Sequence, residues 1–146
     1  MGLTVVDAGV VIALLDGADV HHDSAHDVLA TVRAAGDDLV LPASGLAEAL
    51  VHPARHGPDA VATVEAFLDE LPIDIYPVNR KVAREAAALR AAHGRLKLPD
   101  ALVIATAKAL EAHRVLTTDR RWPTRSALGL RATLTIVGPA PSPASG

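Results

Sequence analysis

The stretch LTVVDAGVVIALLD, residues 3–16, decides the fold. Two apolar runs, Leu3 to Val6 and Val10 to Leu15, flank a single carboxylate, Asp7. Burying an unpartnered charge is costly, so Asp7 must meet a partner or stand where the buried segment ends. A short all-apolar run bounded by Asp and Gly reads as a strand buried on both faces, and Gly9–Leu15 reads as the start of a short helix. A strand that runs straight into a helix is the opening of a parallel α/β sheet, in which ligands bind outside the carboxyl ends of the strands. Asp7 stands at such an end.

The rest of the chain continues the alternation. Residues 21–35 carry Ala25, Val28, Leu29 and Val32 at helical spacing, and Gly36 ends that helix. DLVLP is a second strand. Ser44–His52 and Pro58–Leu68 are helices separated by a His-Gly-Pro break. IDIYPV is a third strand. Asn79 caps the helix RKVAREAAALRAAH, and Gly94 stops it. LPDALVIATAKALEAH is a helix with Pro99 in its first turn. RVLTTD and TLTIVG supply a fourth and a fifth strand. The expected architecture is a three-layer α/β/α sandwich with a mostly parallel sheet of four to five strands. It occupies residues 1–138, and the Pro/Ser/Ala-rich residues 139–146 form a loose tail.

Composition narrows the chemistry. The 146 residues suffice for one domain with a proper core, and 50% are hydrophobic, which argues against disorder. No apolar run reaches membrane-spanning length and the N-terminus lacks a signal-peptide pattern, so the reading is cytoplasmic. The absence of cysteine removes disulfides, thiolate metal sites and cysteine nucleophiles together. One Trp, one Tyr and one Phe do not make an aromatic platform for stacking bases. Residues 1–73 hold two basic and twelve acidic residues, and residues 74–146 hold twelve basic and five acidic ones, about -10 against +7. Such asymmetry suits a nucleic-acid partner or an acidic site facing a basic wall, as well as two ordinary solvated surfaces.

Four acids occupy comparable places. Asp7 and Asp119 end strands, Asp100 opens a very apolar helix after Pro99, and Glu48 lies in the first turns of the helix after strand two. Each has a bland explanation: a cap, a helix-dipole partner, a turn opener, an exposed helix residue. Together they would crowd one edge of the sheet, where clustered carboxylates repel and raise one another's pKa. A hard divalent cation such as Mg²⁺ or Mn²⁺ relieves that repulsion, and an all-oxygen donor set suits it. His21, His22 and His26 suggest a metal tract, but at a helix start they more often face solvent. No nucleophile elbow, phosphate-cradling Gly loop or GxGxxG is present. Gly9 stands where a phospho-aspartate phosphatase would carry a second Asp.

On VVDAGVVIALLD, PASGLAEAL, LPDALVIATA and LTTDRRW, in this order, the chain resembles the PIN-domain ribonucleases, specifically the VapC-type toxins of VapBC toxin–antitoxin pairs, over residues 3 to about 137. The resemblance implies a Mg²⁺- or Mn²⁺-dependent endoribonuclease that cleaves RNA by metal-activated water, an antitoxin partner and a homodimer. It implies that Asp7, Glu48, Asp100 and Asp119 are catalytic, with Asp7, Asp100 and Asp119 as metal ligands and Thr117 in support. Arg95, Lys97, Arg120 and Arg121 flank the acids in sequence and suit contacts to the RNA backbone, which position RNA without reading it. The family usually places Ser, Thr or Asn where this chain has Gly9. A gap filled by water is expected there, with a need for high Mg²⁺ or for Mn²⁺, and Gly9→Ser is expected to relieve it unless Gly9 has a positive φ. Two rivals stay open: a catalytically weakened PIN domain that binds RNA or a protein without cleavage, and an unrelated α/β fold whose acids are only caps.

Overall fold

The computed structural model describes residues 2–138; the tail expected over residues 139–146 lies outside them. The elements run β1 (Leu3–Val6), α1 (Ala8–Leu15), α2 (His22–Ala34), β2 (Asp38–Pro42), α3 (Ala43–His56), α4 (Pro58–Glu70), β3 (Ile73–Tyr76), α5 (Arg80–Ala92), α6 (Leu98–Ala109), β4 (Arg114–Thr117) and β5 (Thr133–Ile136). All four strand pairings are parallel, in the order β3-β2-β1-β4-β5. The first strand made is therefore the central one. The order reverses between β1 and β4, which sets a crevice at their carboxyl ends.

Strand alternation sorts the core into two layers. Val5, Val40 and Val115 face α5 and α6, where they pack with Val82, Leu89, Ile104 and Trp122. Val6, Leu39, Leu41 and Leu116 face α1 to α4, against Val10, Leu29, Ala49 and Leu68. With helices on both faces, the inner strands β1, β2 and β4 are largely apolar and buried, while the edge strands β3 (IDIY) and β5 (TLTI) mix polar and apolar residues. This is the expected three-layer sandwich, with five strands and all of them parallel.

Two helix ends differ from the sequence reading by more than two residues. α3 runs through Pro53 to His56 rather than stopping at His52, and Gly57, at φ 112°, ends it. Pro53 forfeits one backbone bond near the helix end, where a single turn remains to be spoiled. α6 stops at Ala109 rather than running on to His113. Glu111 takes a left-handed φ of 52°, its N–H donates to the Lys108 carbonyl, and the Ala112 N–H donates to the Ala107 carbonyl. That is a Schellman closure built without glycine, which is why the sequence gives no stop signal there.

Gly45 marks a close approach of α3 to the sheet. A Cβ on it would stand 2.8 Å from Leu41 Cδ1 and 3.8 Å from the Ala8 Cβ. Leu41 is fully buried, so it has little room to yield. Gly45→Ala gains about 1 kcal/mol of helix propensity and loses about 1–3 kcal/mol to overpacking. The expected net result is a small destabilisation, read as a lower denaturation midpoint at unchanged m-value. A raised midpoint contradicts this packing.

Candidate active site

The backbone of β1 ends by donating the Asp7 N–H to the Leu116 carbonyl of β4 at 2.9 Å. That bond fixes Asp7 at the mouth of the β1/β4 crevice. Its side chain is the N-cap of α1: Oδ1 accepts from the Ala8 N–H at 2.9 Å, and Oδ2 accepts from Thr117 Oγ1 at 2.8 Å. Asp7 is 7% exposed and Thr117 is fully buried. The Thr117 hydroxyl also accepts the Asp119 N–H at 3.1 Å. One hydroxyl thus ties the ends of β1 and β4 together. The cap explains how Asp7 is held, and the charge on it explains why more is needed.

The carboxylates sense one another. Burial, and after it the charges on Asp100 and Glu48, push Asp7 up from 3.8 to about 6, against the bond from Thr117. Glu48 is raised by its partial burial and then by Asp100. Asp100 is raised by burial and by Asp119, against the indole of Trp122 and the cations Lys97 and Arg121. Asp119 behaves oppositely. Arg121 donates to it through Nε at 3.1 Å, through Nη2 at 3.2 Å and through its backbone N–H at 2.8 Å, which holds its carboxyl below the usual range. Three acids are left short of positive charge, and the fourth is already paired.

The four acids named from sequence therefore share one neighbourhood above the carboxyl edge of the sheet. Among the described residues, no three acids or histidines are gathered closely enough to enclose a metal ion as they stand. The chemistry of the set nevertheless fits a hard divalent cation. The donors are carboxylate oxygens in mutual repulsion, Glu48 and Asp100 keep solvent access, and Asp7 is the fixed member. The triple-His tract does not join them as a metal cluster. His21 Nδ1 pairs with Asp19 Oδ1 at 3.0 Å, and His22 Nδ1 meets the Ala13 carbonyl at 2.8 Å.

The expected cations divide between two flanks. Arg95, Lys97 and Arg121 line a cleft of about 540 Å³ with Asp100 and Asp119, and Trp122 is among its other walls. Arg120 faces a shallower groove on the other side of Asp119, together with His21 and Thr118; Arg121 reaches both.

Trp122 was not a site residue in the sequence reading. It packs in the core beside α6, and its buried indole N–H approaches Asp100 closely enough to lower its pKa without completing a hydrogen bond. The sequence clue was its place three residues after Asp119 in a chain with a single Trp. Thr118 was also missed. A Cβ on Gly9 would lie 2.5 Å from Thr118 Oγ1, so that hydroxyl, and not the expected water-filled gap, stands over residue 9. Gly9 has no positive φ. It is glycine for space, not for backbone freedom.

An all-parallel sheet with acids at its β1/β4 crevice agrees with comparison to known families: residues 4–127 match the PIN domain, and the chain belongs to that family. No curated protein matches it by sequence. Among solved structures it is similar to VapC20 of Mycobacterium tuberculosis, a toxin that cleaves the sarcin-ricin loop, with TM-score 0.69 and 18% identity over 93% of this chain and 99% of that one. It is also similar to VapBC2 of Rickettsia felis bound to a DNA fragment from its promoter, with TM-score 0.68 and 14% identity over 92% of this chain and 98% of that one. For FitAcB of Neisseria gonorrhoeae the TM-score is 0.66 at 22% identity, over 90% of this chain and 96% of that one. No helix among the described residues is long and apolar enough to cross a membrane.

Proposed function

We propose that this chain is a divalent-metal-dependent endoribonuclease and the VapC-like toxin of a toxin–antitoxin pair. The observation that carries the proposal is the unbalanced set of acids at the crevice: Asp7, Glu48 and Asp100 raised, Asp119 held down by Arg121. Family membership and neighbours that include toxin–antitoxin complexes support it.

Asp7, Asp100 and Asp119 would hold Mg²⁺ or Mn²⁺, with Glu48 beside them. When bound, such an ion neutralises charge on a phosphodiester and lowers the pKa of water at the site. The protein's own part is positioning. Thr117 and the Ala8 N–H fix both oxygens of Asp7, so one donor is set before anything binds. Arg121 holds Asp119 and, reaching into the cleft, can turn to a phosphate. Arg95 and Lys97 hold the strand on one side of the acids and Arg120 on the other. The antitoxin is the expected protein partner, with a second copy of the chain as a homodimer.

The non-cleaving alternative rests on Gly9, and the Thr118 hydroxyl over that residue weakens it. The test is cleavage of a structured RNA by purified protein with Mg²⁺ or Mn²⁺, then with chelator. Cleavage should vanish with chelator and return with metal. Asp100→Asn should lower the rate at least about 100-fold, the upper range for losing even a partner that only orients a metal ligand. Chelator-resistant cleavage, or RNA binding without cleavage under every ion, would overturn the proposal.

A further inference from the structure

Gly9 and Thr118 interlock. Residue 9 lies in the first turn of α1, two positions after Asp7, and Thr118 follows Thr117 at the end of β4. With any side chain at residue 9, its first carbon would sit 2.5 Å from Thr118 Oγ1, closer than two such atoms can stand. Only the hydroxyl oxygen is that close; Thr118 Cβ and Cγ2 would be at 3.7 and 3.9 Å, ordinary contact distances. The space that glycine leaves therefore admits one polar atom. The backbone at Gly9 is not left-handed, so nothing else calls for glycine there.

The hydroxyl is also unspent. Among the described residues Thr118 Oγ1 has no hydrogen-bond partner, unlike its neighbour Thr117, which is committed to Asp7 and to the Asp119 N–H. Thr118 is half-buried and faces the groove that it shares with Asp119. A neutral oxygen is thus delivered next to Asp119 from the β4 side, into the place where a side chain of α1 would otherwise stand.

We infer that Thr118 is a positioning residue of the metal site, supplying over Gly9 the neutral oxygen that orients solvent beside Asp119 around the cation. The inference rests on the metal-dependent reading above. A side chain at residue 9 would have to move the Thr118 hydroxyl from its present place, so in this arrangement the oxygen comes from β4 and not from α1.

The experiment measures Mn²⁺ binding by calorimetry, with thermal melts of the metal-free protein, for wild type and five variants. Thr118→Val keeps the shape and removes the oxygen, and it should weaken Mn²⁺ binding about 10-fold or more at a nearly unchanged melting temperature. Thr118→Ser should bind like wild type. Thr118→Ala should bind as weakly as Thr118→Val. Gly9→Ser alone should melt lower, since its Cβ displaces Thr118. Gly9→Ser combined with Thr118→Ala moves the oxygen to α1 and should regain both the melting temperature and most of the affinity. Undiminished Mn²⁺ affinity in Thr118→Val overturns the inference while leaving the metal-dependent reading intact. So does a double variant no better than Thr118→Ala. Wild type that binds no Mn²⁺ overturns both.

Discussion

Asp7→Asn is expected to abolish RNA cleavage while making the metal-free protein more stable. The two effects share one cause. The folded state holds the Asp7 carboxyl at about 6, against 3.8 for a free aspartate, chiefly because the group is buried and then because Asp100 and Glu48 face it. A folded-state pKa above the unfolded one means that the native protein binds the extra proton. Stability is then full below about pH 4 and falls as pH rises towards 6. The gap of about two units corresponds to roughly 3 kcal/mol of strain on the ionised form at neutral pH, at about 1.36 kcal/mol per unit. Asparagine carries no charge at any pH, and its Oδ1 still accepts the Ala8 N–H. The variant should melt several degrees above wild type at pH 7.5, at about 2–4 °C per kcal/mol, and the difference should shrink at pH 4. An unchanged cleavage rate in the variant contradicts the site. A melting temperature that falls at both pH values contradicts the electrostatics.

Thr117→Val is expected to be the most damaging single-atom change near the crevice. Valine matches threonine in shape but deletes the donor to Asp7 Oδ2 and the acceptor for the Asp119 N–H. A hydrogen bond to a buried carboxylate contributes about 1.5–3 kcal/mol, and a stranded partner adds desolvation cost. At pH 7.5 the variant should lose about 3 kcal/mol and melt roughly 6–12 °C lower. Asp7 loses the bond that holds its pKa down, so that pKa should rise further. At pH 4.5, where folded Asp7 is largely protonated, the deficit should be smaller. An equal deficit at both pH values would mean that Thr117 stabilises the strand ends without serving the carboxylate.

Much of this was readable from residues alone. The order of apolar runs and helical periods specified the layers, because strands covered on both faces cannot hide their composition. Asp7, Asp100 and Asp119 were readable because a carboxylate next to an apolar run must stand at its end. Glu48 was readable only through the company of the others. What stayed hidden depends on contacts between distant segments. Nothing in the LTTD segment says that its second Thr fills the space over Gly9, since they are brought together only when β1 and β4 pair. The Trp122 indole beside Asp100 is hidden for the same reason. The end of α6 was missed because a Glu, and not a Gly, adopts the left-handed turn.

The strand order has a consequence for the chain as it is made. β1 leaves the ribosome first yet ends in the middle of the sheet, and its far edge stays bare until β4, more than a hundred residues later, comes to lie along it. Until then Asp7 has neither Thr117 nor Asp119 beside it, and the basic second half of the chain is missing. A growing or prematurely ended polypeptide thus offers an open strand edge, prone to stray pairing, but no assembled centre. The hazard of an unfinished copy is aggregation rather than stray chemistry.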